Sequence, residues 1–403
     1  MTLPIPALVG DAWFWRSDAA PVVSIRWGWP GGSRLDPEGR EGEAALGAAL
    51  LTQGAGDLDA TAFQEALRDR AISLSFWAER DWFGGALRCL SDALPEAVRL
   101  AALALSAPRF DDAPVQQTRA RMIAQARREK EQPRILSARA FWDGIAPGNP
   151  IARPVQGTAE SLAAAVPRVP ARPGPALAAA AGAVAPATLA AALDMLLAGT
   201  EPPRAAPVLD APRPFGRAVV PHAAPQSAIT FGHSGRGVPP SGRGWDAAQV
   251  ALRVLGGGGF GARLMERVRE RGGLAYGISA GFQTIPGAGL IVGGTATANA
   301  NVPRVLDLVT AEWRRMAESG PAEAEIADAT AAMAGGAVRA FADTGRAVSA
   351  LLAARRMGRA PEDIAARPAR LRSLTVAEVA TAARAALDPE ALSFAIAGEP
   401  VGL

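Results

Sequence analysis

Alternating apolar and polar positions predict strands in several places along the chain. Residues 22–29, 72–77 and 274–282 show this period of two, which is typical of a strand with one buried face. In the first of them, Ile25, Trp27 and Trp29 point to one side. Residues 288–295 follow the third strand closely enough to form a hairpin with it.

Helical patterns recur at matching places. Leu94-Pro95 and Val302-Pro303 each open an amphipathic helix after a predicted strand pair. Residues 65–70, EALRDR, and 266–271, ERVRER, carry acidic, apolar and arginine residues at the same positions, 201 residues apart. Both blocks end a helical pattern and lead into a strand. The chain therefore contains two related halves.

Each half is predicted as two strands, two helices, two strands and several further helices. Short connections favour mostly antiparallel pairing with helices packed on one face, so we predict an α+β duplication. The proline-rich segment from Glu201 to Pro214 favours an extended connector. We assign residues 1–205 to the first half, 206–216 to a linker and 217–403 to the second half. The Ala/Pro-rich residues 166–187 show no clear pattern.

Composition excludes several classes of protein. Arg, Pro or acidic residues interrupt every apolar stretch, so no membrane span is predicted. The net charge of +3 over 403 residues is too small and dispersed to indicate a nucleic-acid surface. The single cysteine, Cys89, lies in an apolar run and is predicted to be buried and free of disulfides.

The N-terminal sequence MTLPIPALVG lacks the basic and apolar regions of a signal peptide. We therefore expect either that the protein is not exported or that the numbered chain begins after a removed leader.

A glycine run is the most unusual local feature. Gly256, Gly257, Gly258 and Gly259 are consecutive, and with Gly261 they satisfy the dinucleotide-binding pattern G-x-G-x-x-G. That pattern requires a preceding strand and an acidic residue about 20 positions later. Here a helical pattern precedes the glycines, which argues against nucleotide binding. The run is either a loop between helices or a loop whose backbone N–H groups approach an extended peptide.

The only tyrosine, Tyr276, follows Arg269 by seven residues. A helix over residues 262–271, stopped by Gly272-Gly273, would place Arg269 in its last turn. Two interpretations remain open. Arg269 caps its helix while Tyr276 is a core ring in phase with Ile278, or both polar tips reach one surface.

The string Arg-Leu-(x)4-Arg-(x)4-Leu-Ala-Tyr, from Arg263 to Tyr276, resembles the second-half motif of the M16 metallopeptidases, the pitrilysin and mitochondrial processing peptidase family. The likeness includes the Arg/Tyr pair, and two halves of about 200 residues also fit the subunit plan of that family. Residues 31–42, GGSRLDPEGREG, resemble the turn that precedes the family's zinc site.

In active M16 members, the helix after that turn carries H-x-x-E-H, whose two histidines bind zinc while the glutamate polarises water. Alignment from Gly42 puts Ala45, Ala48 and Ala49 at the three positions. The family's third ligand, a glutamate, falls at or near Gln125. None of these alanines can bind a metal, so no cofactor is expected in this chain.

The two histidines, His222 and His233, lie in the other half without nearby cysteine or carboxylate patterns, and each is predicted to be a core or solvent residue.

The resemblance implies a non-zinc-binding subunit of a heterodimeric M16B peptidase. By analogy with exported peptide-degrading members of the family, it also implies a periplasmic location if a leader was removed, with the cytoplasm as the alternative. Its partner would carry H-x-x-E-H and the zinc, and Arg269 and Tyr276 would bind peptide substrates or unfolded segments in trans, beside the loop from Gly256 to Gly259. Two alternatives stay open. One is an inert scaffold resembling the core subunits of the cytochrome bc1 complex, and the other is a module that captures peptides by strand addition without cleaving them.

Overall fold

The computed structural model describes residues 3–203, 209, 212–235, 241–285 and 288–403. Of the predicted linker 206–216, residues 206–208, 210 and 211 lie outside this description. Within the described residues, no helix is both long and apolar enough to cross a bilayer.

The strands belong to two sheets. Their bounds are β1 (Ala7–Val9), β2 (Ala12–Arg16), β3 (Val22–Pro30), β4 (Ser73–Ala78), β5 (Trp82–Leu90), β6 (Leu177–Gly182), β7 (Arg217–Pro221), β8 (Gln226–Ser234), β9 (Ala275–Ile285), β10 (Ala288–Ala298) and β11 (Ser393–Gly398). The predicted strands at 22–29, 72–77, 274–282 and 288–295 are therefore confirmed, each to within a few residues.

Fourteen α-helices accompany these strands in the part of the chain that is described. They are α1 (Glu43–Leu50), α2 (Ala60–Asp69), α3 (Leu94–Ser106), α4 (Asp112–Glu129), α5 (Pro133–Ile145), α6 (Ala159–Ala164), α7 (Pro186–Leu196), α8 (Gly242–Leu252), α9 (Arg263–Met265), α10 (Val302–Ser319), α11 (Glu323–Ala340), α12 (Thr344–Arg356), α13 (Pro361–Arg372) and α14 (Val376–Ala386). Helices α3 and α10 begin at the predicted Leu94-Pro95 and Val302-Pro303, where the proline in the first turn costs no hydrogen bond.

The two sheets have the same internal order. The first is β1-β2-β6-β3-β5-β4 and the second is β7-β11-β8-β10-β9, so the sequence β2-β6-β3-β5-β4 corresponds strand by strand to the second sheet. Only β2–β6 and β7–β11 pair in parallel among the described strands. The predicted α+β fold with two related, mostly antiparallel halves is confirmed.

Each half of the sequence gives one helix to the compact unit built by the other half. The first unit comprises Met1–Arg127, Arg153–Pro207 and Val338–Ala365, and the second comprises Arg128–Ala152, Val208–Ala337 and Ala366–Leu403. In the second unit, α5 packs on β8 and β11, and in the first unit, α12 packs on β6 and β3. The linear pattern of strands and helices does not reveal this exchange.

The exchanged helices extend the core beyond what the pattern predicts. In the second unit, one face of the sheet packs on α8, α10 and α14 around Phe231 and Trp313, whose rings meet edge to face at 5.9 Å. Helix α5 covers part of the opposite face through Phe141 and Ile145. Helices therefore lie on both faces of this sheet, whereas the pattern predicted them on one face only.

Strand β6 has no sequence signature of a strand. It lies in the segment 166–187 that shows no pattern, and its residues Ala178, Ala179, Ala180 and Ala181 are fully buried. Alanine has the highest helix propensity, so the local sequence conceals a strand here. The small side chains instead fit a strand that pairs with β2 and β3 and is covered by α12.

His233 is a core residue. The Trp313 Nε1–H donates to its Nε2 at 3.0 Å, and its Nδ1 lies 2.5 Å from the Ser234 carbonyl oxygen. Because Nε2 accepts, the proton of the neutral ring lies on Nδ1 and is donated to that carbonyl. The predicted core role is therefore confirmed for His233, whereas His222 is partly exposed.

Cys89 is buried on β5 opposite Val23, as predicted. Burial raises the pKa of its thiol to about 11, so little reactive thiolate exists near neutral pH.

We expect Ellman's reagent at pH 8 to react with Cys89 of the native protein at least about tenfold more slowly than with Cys89 of the unfolded chain. A Cys89→Ala variant sets the background. Equal rates for native and unfolded protein would contradict the buried environment.

Candidate functional site

The glycine run connects two helical segments rather than a strand and a helix. Helix α8 continues into a π-helical turn, Arg253–Gly257, and α9 continues into a second one, Glu266–Glu270. The dinucleotide-binding pattern thus lacks its preceding strand, as the sequence indicated. Single π-helical turns are frequent at functional sites, and here two of them flank one loop.

Gly256 and Gly259 position this loop for different reasons. A Cβ atom at Gly256 would lie 2.8 Å from the backbone nitrogen of Ala280, so the loop can touch β9 only because Gly256 has no side chain. Gly259 has a φ of +67°, a conformation that L-residues adopt at a cost. The loop is thereby fixed against the strand that carries Tyr276.

The helix that carries Arg269 ends where the sequence predicts. Gly273 has a φ of +60°, its N–H donates to the Arg269 carbonyl at 2.9 Å, and the Leu274 N–H donates to the Val268 carbonyl. These bonds satisfy the last carbonyl groups of the helix. Arg269 therefore lies in the final turn, immediately before β9.

Two ion pairs fix this helix to its neighbours. The buried Arg263 donates to both carboxylate oxygens of Glu325, at 2.7 and 2.6 Å, and this bond lowers the pKa of Glu325. Arg267 lies 3.1 Å from the buried Glu312 on α10. The bidentate pair of Arg263 constrains orientation, so the backbone beneath Arg269 has a defined position.

A β-bulge determines the direction of Tyr276. Ile278 pairs with Thr295 and Ala275 pairs with Thr297, so two residues of β9, Tyr276 and Gly277, oppose one residue of β10. A bulge of this kind redirects side chains and is common beside active sites. Tyr276 is 90% exposed, and its interpretation as a core ring is wrong. That interpretation assumed unbroken alternation from Leu274 to Ile278.

The structure brings Arg269 and Tyr276 together and adds a third residue. The Arg269 guanidinium carbon lies 5.0 Å from the centre of the Tyr276 ring and 4.6 Å from the centre of the Phe260 ring. Both distances are within the range of cation–π attraction. Phe260 was not predicted as a site residue from the sequence, although an aromatic residue enclosed by glycines is an available signal. We call Phe260, Arg269 and Tyr276 the arginine–aromatic cluster.

Tyr276 of the cluster lines a cleft of about 610 Å³ in the second unit, together with other residues of β9 and β10, Gln226 of β8 and Arg134 of α5. Strand β9 is the edge of its sheet, so one side of its backbone has no neighbouring strand among the described residues. Within the same described part of the chain, the Tyr276 hydroxyl makes no hydrogen bond. Its O–H can therefore donate to a ligand.

The predicted zinc positions are filled by apolar packing. Ala45 and Ala48 are buried on α1 and Ala49 is partly buried. Ala45 belongs to an apolar cluster that also contains Ala126 of α4, whereas the predicted third position, Gln125, is exposed. These side chains do not fit zinc, because alanine offers no donor atom. Among the described residues, no group of three His, Cys, Asp or Glu side chains could hold a metal.

We predict different effects on stability for substitutions at two glycines of the loop, because only Gly256 is in close contact with β9. Gly256→Ala should destabilise the fold by about 1–3 kcal/mol, because its Cβ overlaps the β9 backbone. Gly261→Ala is the matched control, since its Cβ would meet nothing within 4 Å, and its effect should stay within about 0.5 kcal/mol. Urea unfolding of both variants measures the difference, and equal stabilities would contradict the packing of the loop on β9.

Three solved structures share this fold over nearly the whole chain. A peptidase M16 inactive domain from Pseudomonas fluorescens has 23% identity and a TM-score of 0.87, with 97% of each chain covered. A chain of complex III2 from Candida albicans has 17% identity and a TM-score of 0.74, covering 96% of this chain and 93% of that one. The periplasmic protease PqqL from Escherichia coli has 14% identity and a TM-score of 0.77, and 97% of this chain matches 44% of that protein.

Sequence comparison matches part of the chain to a known family. Residues 172–333 match the family model described as Peptidase M16 inactive domain. Among curated proteins, no sequence matches the chain. Residues 172–333 are thus similar to the inactive domain of the M16 peptidases, and the whole chain shares the fold of a solved example of that domain.

Proposed function

We propose that this chain is the non-zinc-binding subunit of a heterodimeric M16B peptidase, and that Arg269 and Tyr276 bind the substrate of a partner that carries H-x-x-E-H and the zinc. The observation that carries the proposal is the exposed arginine–aromatic cluster at the edge strand of a chain whose own zinc positions hold alanines.

The chemistry of amide hydrolysis suits these two residues. Negative charge develops on the carbonyl oxygen as water attacks, and preorganised donors that point at this oxygen lower the barrier. Tyr276 offers an O–H group that has no other acceptor within the described residues. Arg269 offers a permanent positive charge and several N–H donors. In the proposed complex, Tyr276 binds the substrate carbonyl or the tetrahedral intermediate, and Arg269 holds a neighbouring backbone oxygen.

The surroundings of the cluster suit an extended peptide. The open edge of β9 can hydrogen-bond to an added strand, which contributes affinity through the main chain without selecting a particular sequence. The glycine loop, held against β9 at Gly256, brings its backbone close to the same edge. Peptides or unfolded segments are therefore the proposed substrates.

The open strand edge also favours a second candidate, a protein of the same fold that binds peptides or partner chains without cleaving them. Complex III2, a chain of which has this fold, is an assembly and lends the scaffold version some support. An inert scaffold, however, gains nothing from an exposed tyrosine with a partly exposed arginine against its ring. We therefore favour the peptidase subunit.

The deciding experiment is reconstitution with an H-x-x-E-H partner, ideally one encoded beside this chain, followed by cleavage of quenched fluorescent peptides. In the mixture, Tyr276→Phe should lower kcat by about 10- to 1,000-fold with a smaller effect on KM, because the lost hydrogen bond strengthens in the transition state. Arg269→Lys keeps the charge but loses the planar donors, and it should lower kcat/KM as well. Unchanged kinetics in Tyr276→Phe would reject its role.

Chelation locates the metal in the same assay. Treating the partner with chelator, followed by buffer exchange, should abolish activity, whereas the same treatment of this chain should leave the mixture fully active. Zinc-dependent cleavage by this chain alone would contradict the proposal. Peptide binding that is retained without cleavage in every pairing would favour the second candidate.

A further inference from the structure

Phe260 is an exposed ring whose position serves no core. It is 70% exposed and lies between Gly259 and Gly261 at the tip of the glycine loop. A phenyl group in this position gains little from the hydrophobic effect. The centre of its ring nevertheless lies 4.6 Å from the guanidinium carbon of Arg269, closer than the centre of the Tyr276 ring at 5.0 Å.

Arg269 has a competing partner. The carboxylate of the neighbouring Glu270, which is half exposed, lies 3.4 Å from the Arg269 Nε. This ion pair lies at the Nε side of the guanidinium, and a closer approach of Glu270 would also engage the terminal N–H groups. Stacking on an aromatic ring covers a flat face instead and leaves those N–H groups free to donate. The two kinds of contact thus have opposite consequences for a ligand that must bind the guanidinium edge.

The loop places Phe260 through backbone geometry rather than through contacts of the phenyl ring itself. Gly256 contacts the backbone of Ala280, and Gly259 adopts a positive φ immediately before the phenylalanine. The first contact fixes the loop to β9, and the second is a left-handed turn immediately before residue 260, whose ring lies against Arg269 at the end of the following helix. Phe260 and Tyr276 therefore reach Arg269 from different elements, the loop and the strand.

We propose that Phe260 is a positioning residue that holds the Arg269 guanidinium beside Tyr276 and limits its pairing with Glu270 to the Nε side, so that the terminal N–H groups of Arg269 are available to a substrate carbonyl oxygen. The structural part of this proposal concerns this chain alone, and its consequence for cleavage rests on the proposed function. The two parts can fail separately.

The single tyrosine provides a direct probe. Incorporation of 3-fluorotyrosine gives one 19F resonance, from position 276, and its chemical shift responds to a cation held over the ring. Arg269→Ala defines the shift of a ring without the guanidinium. Phe260→Leu, which keeps an apolar side chain but removes the π face, should move the resonance most of the way toward that reference. Phe260→Trp keeps an aromatic face and should stay near the native shift.

Glu270→Gln distinguishes positioning from a general disturbance of the loop. In the Phe260→Leu background it removes the competing carboxylate, so the resonance should return partly to the native value. Because Phe260 is exposed, thermal unfolding temperatures of all these variants should agree closely with the native chain. A native-like shift in Phe260→Leu, or no recovery on adding Glu270→Gln, would overturn the proposal.

Kinetic measurements on the reconstituted peptidase test the consequence of the proposal for cleavage. Phe260→Leu should raise KM by about tenfold, Phe260→Trp should retain most of the native kcat/KM, and the pattern should follow the 19F shifts. If the shifts behave as expected but no partner yields a peptidase, then the proposed function fails and the positioning role stands. If cleavage depends on Tyr276 while Phe260→Leu changes neither shift nor KM, the positioning role fails and the proposed function stands.

Discussion

The register of β9 against β10 is the constraint on which the candidate site depends. With unbroken alternation, Tyr276 would share the buried face of Leu274 and Ile278. The bulge opposite Ala296 gives β9 one extra residue and releases the phenol to the surface. Thr295 and Thr297 stabilise this irregular backbone, because their hydroxyl groups donate to the Gly277 and Leu274 carbonyl oxygens at 2.8 and 2.6 Å.

The elements around the bulge contribute to the same surface. The helix before β9 is held by Arg263 and Arg267 to acidic residues of α11 and α10, and it ends at Gly273, so Arg269 projects where β9 begins. The glycine loop touches β9 at Ala280 and adds Phe260. Three short elements thus converge on one exposed cluster. In the first unit, by contrast, two of the predicted zinc positions, Ala45 and Ala48, are buried in apolar clusters.

Much of this arrangement could be predicted from the sequence, because it follows from local rules. The strand pattern, the proline-initiated helices and the glycine stop after Arg271 all have short-range signals, and the repeat at residues 65 and 266 reveals the duplication. Other features depend on tertiary context. The alanines of β6 favour a helix locally and become a strand only between β2 and β3. The bulge cannot be read from alternation, since a bulge is a departure from it, and the exchange of α5 and α12 is invisible in a linear pattern.

The central claim is that the second unit binds peptide for a zinc site on another chain, and photo-crosslinking tests it most directly. Ser279 is exposed on β9, lines the cleft beside Tyr276 and can be replaced by p-benzoylphenylalanine while Arg269 and Tyr276 are kept. In an active mixture with the H-x-x-E-H partner, the account predicts that position 279 crosslinks to the peptide substrate and that unlabelled substrate competes, whereas the exposed position Leu8 on β1 does not crosslink. A mixture that cleaves the peptide with no crosslink at position 279, or with equal crosslinking at both positions, would contradict it.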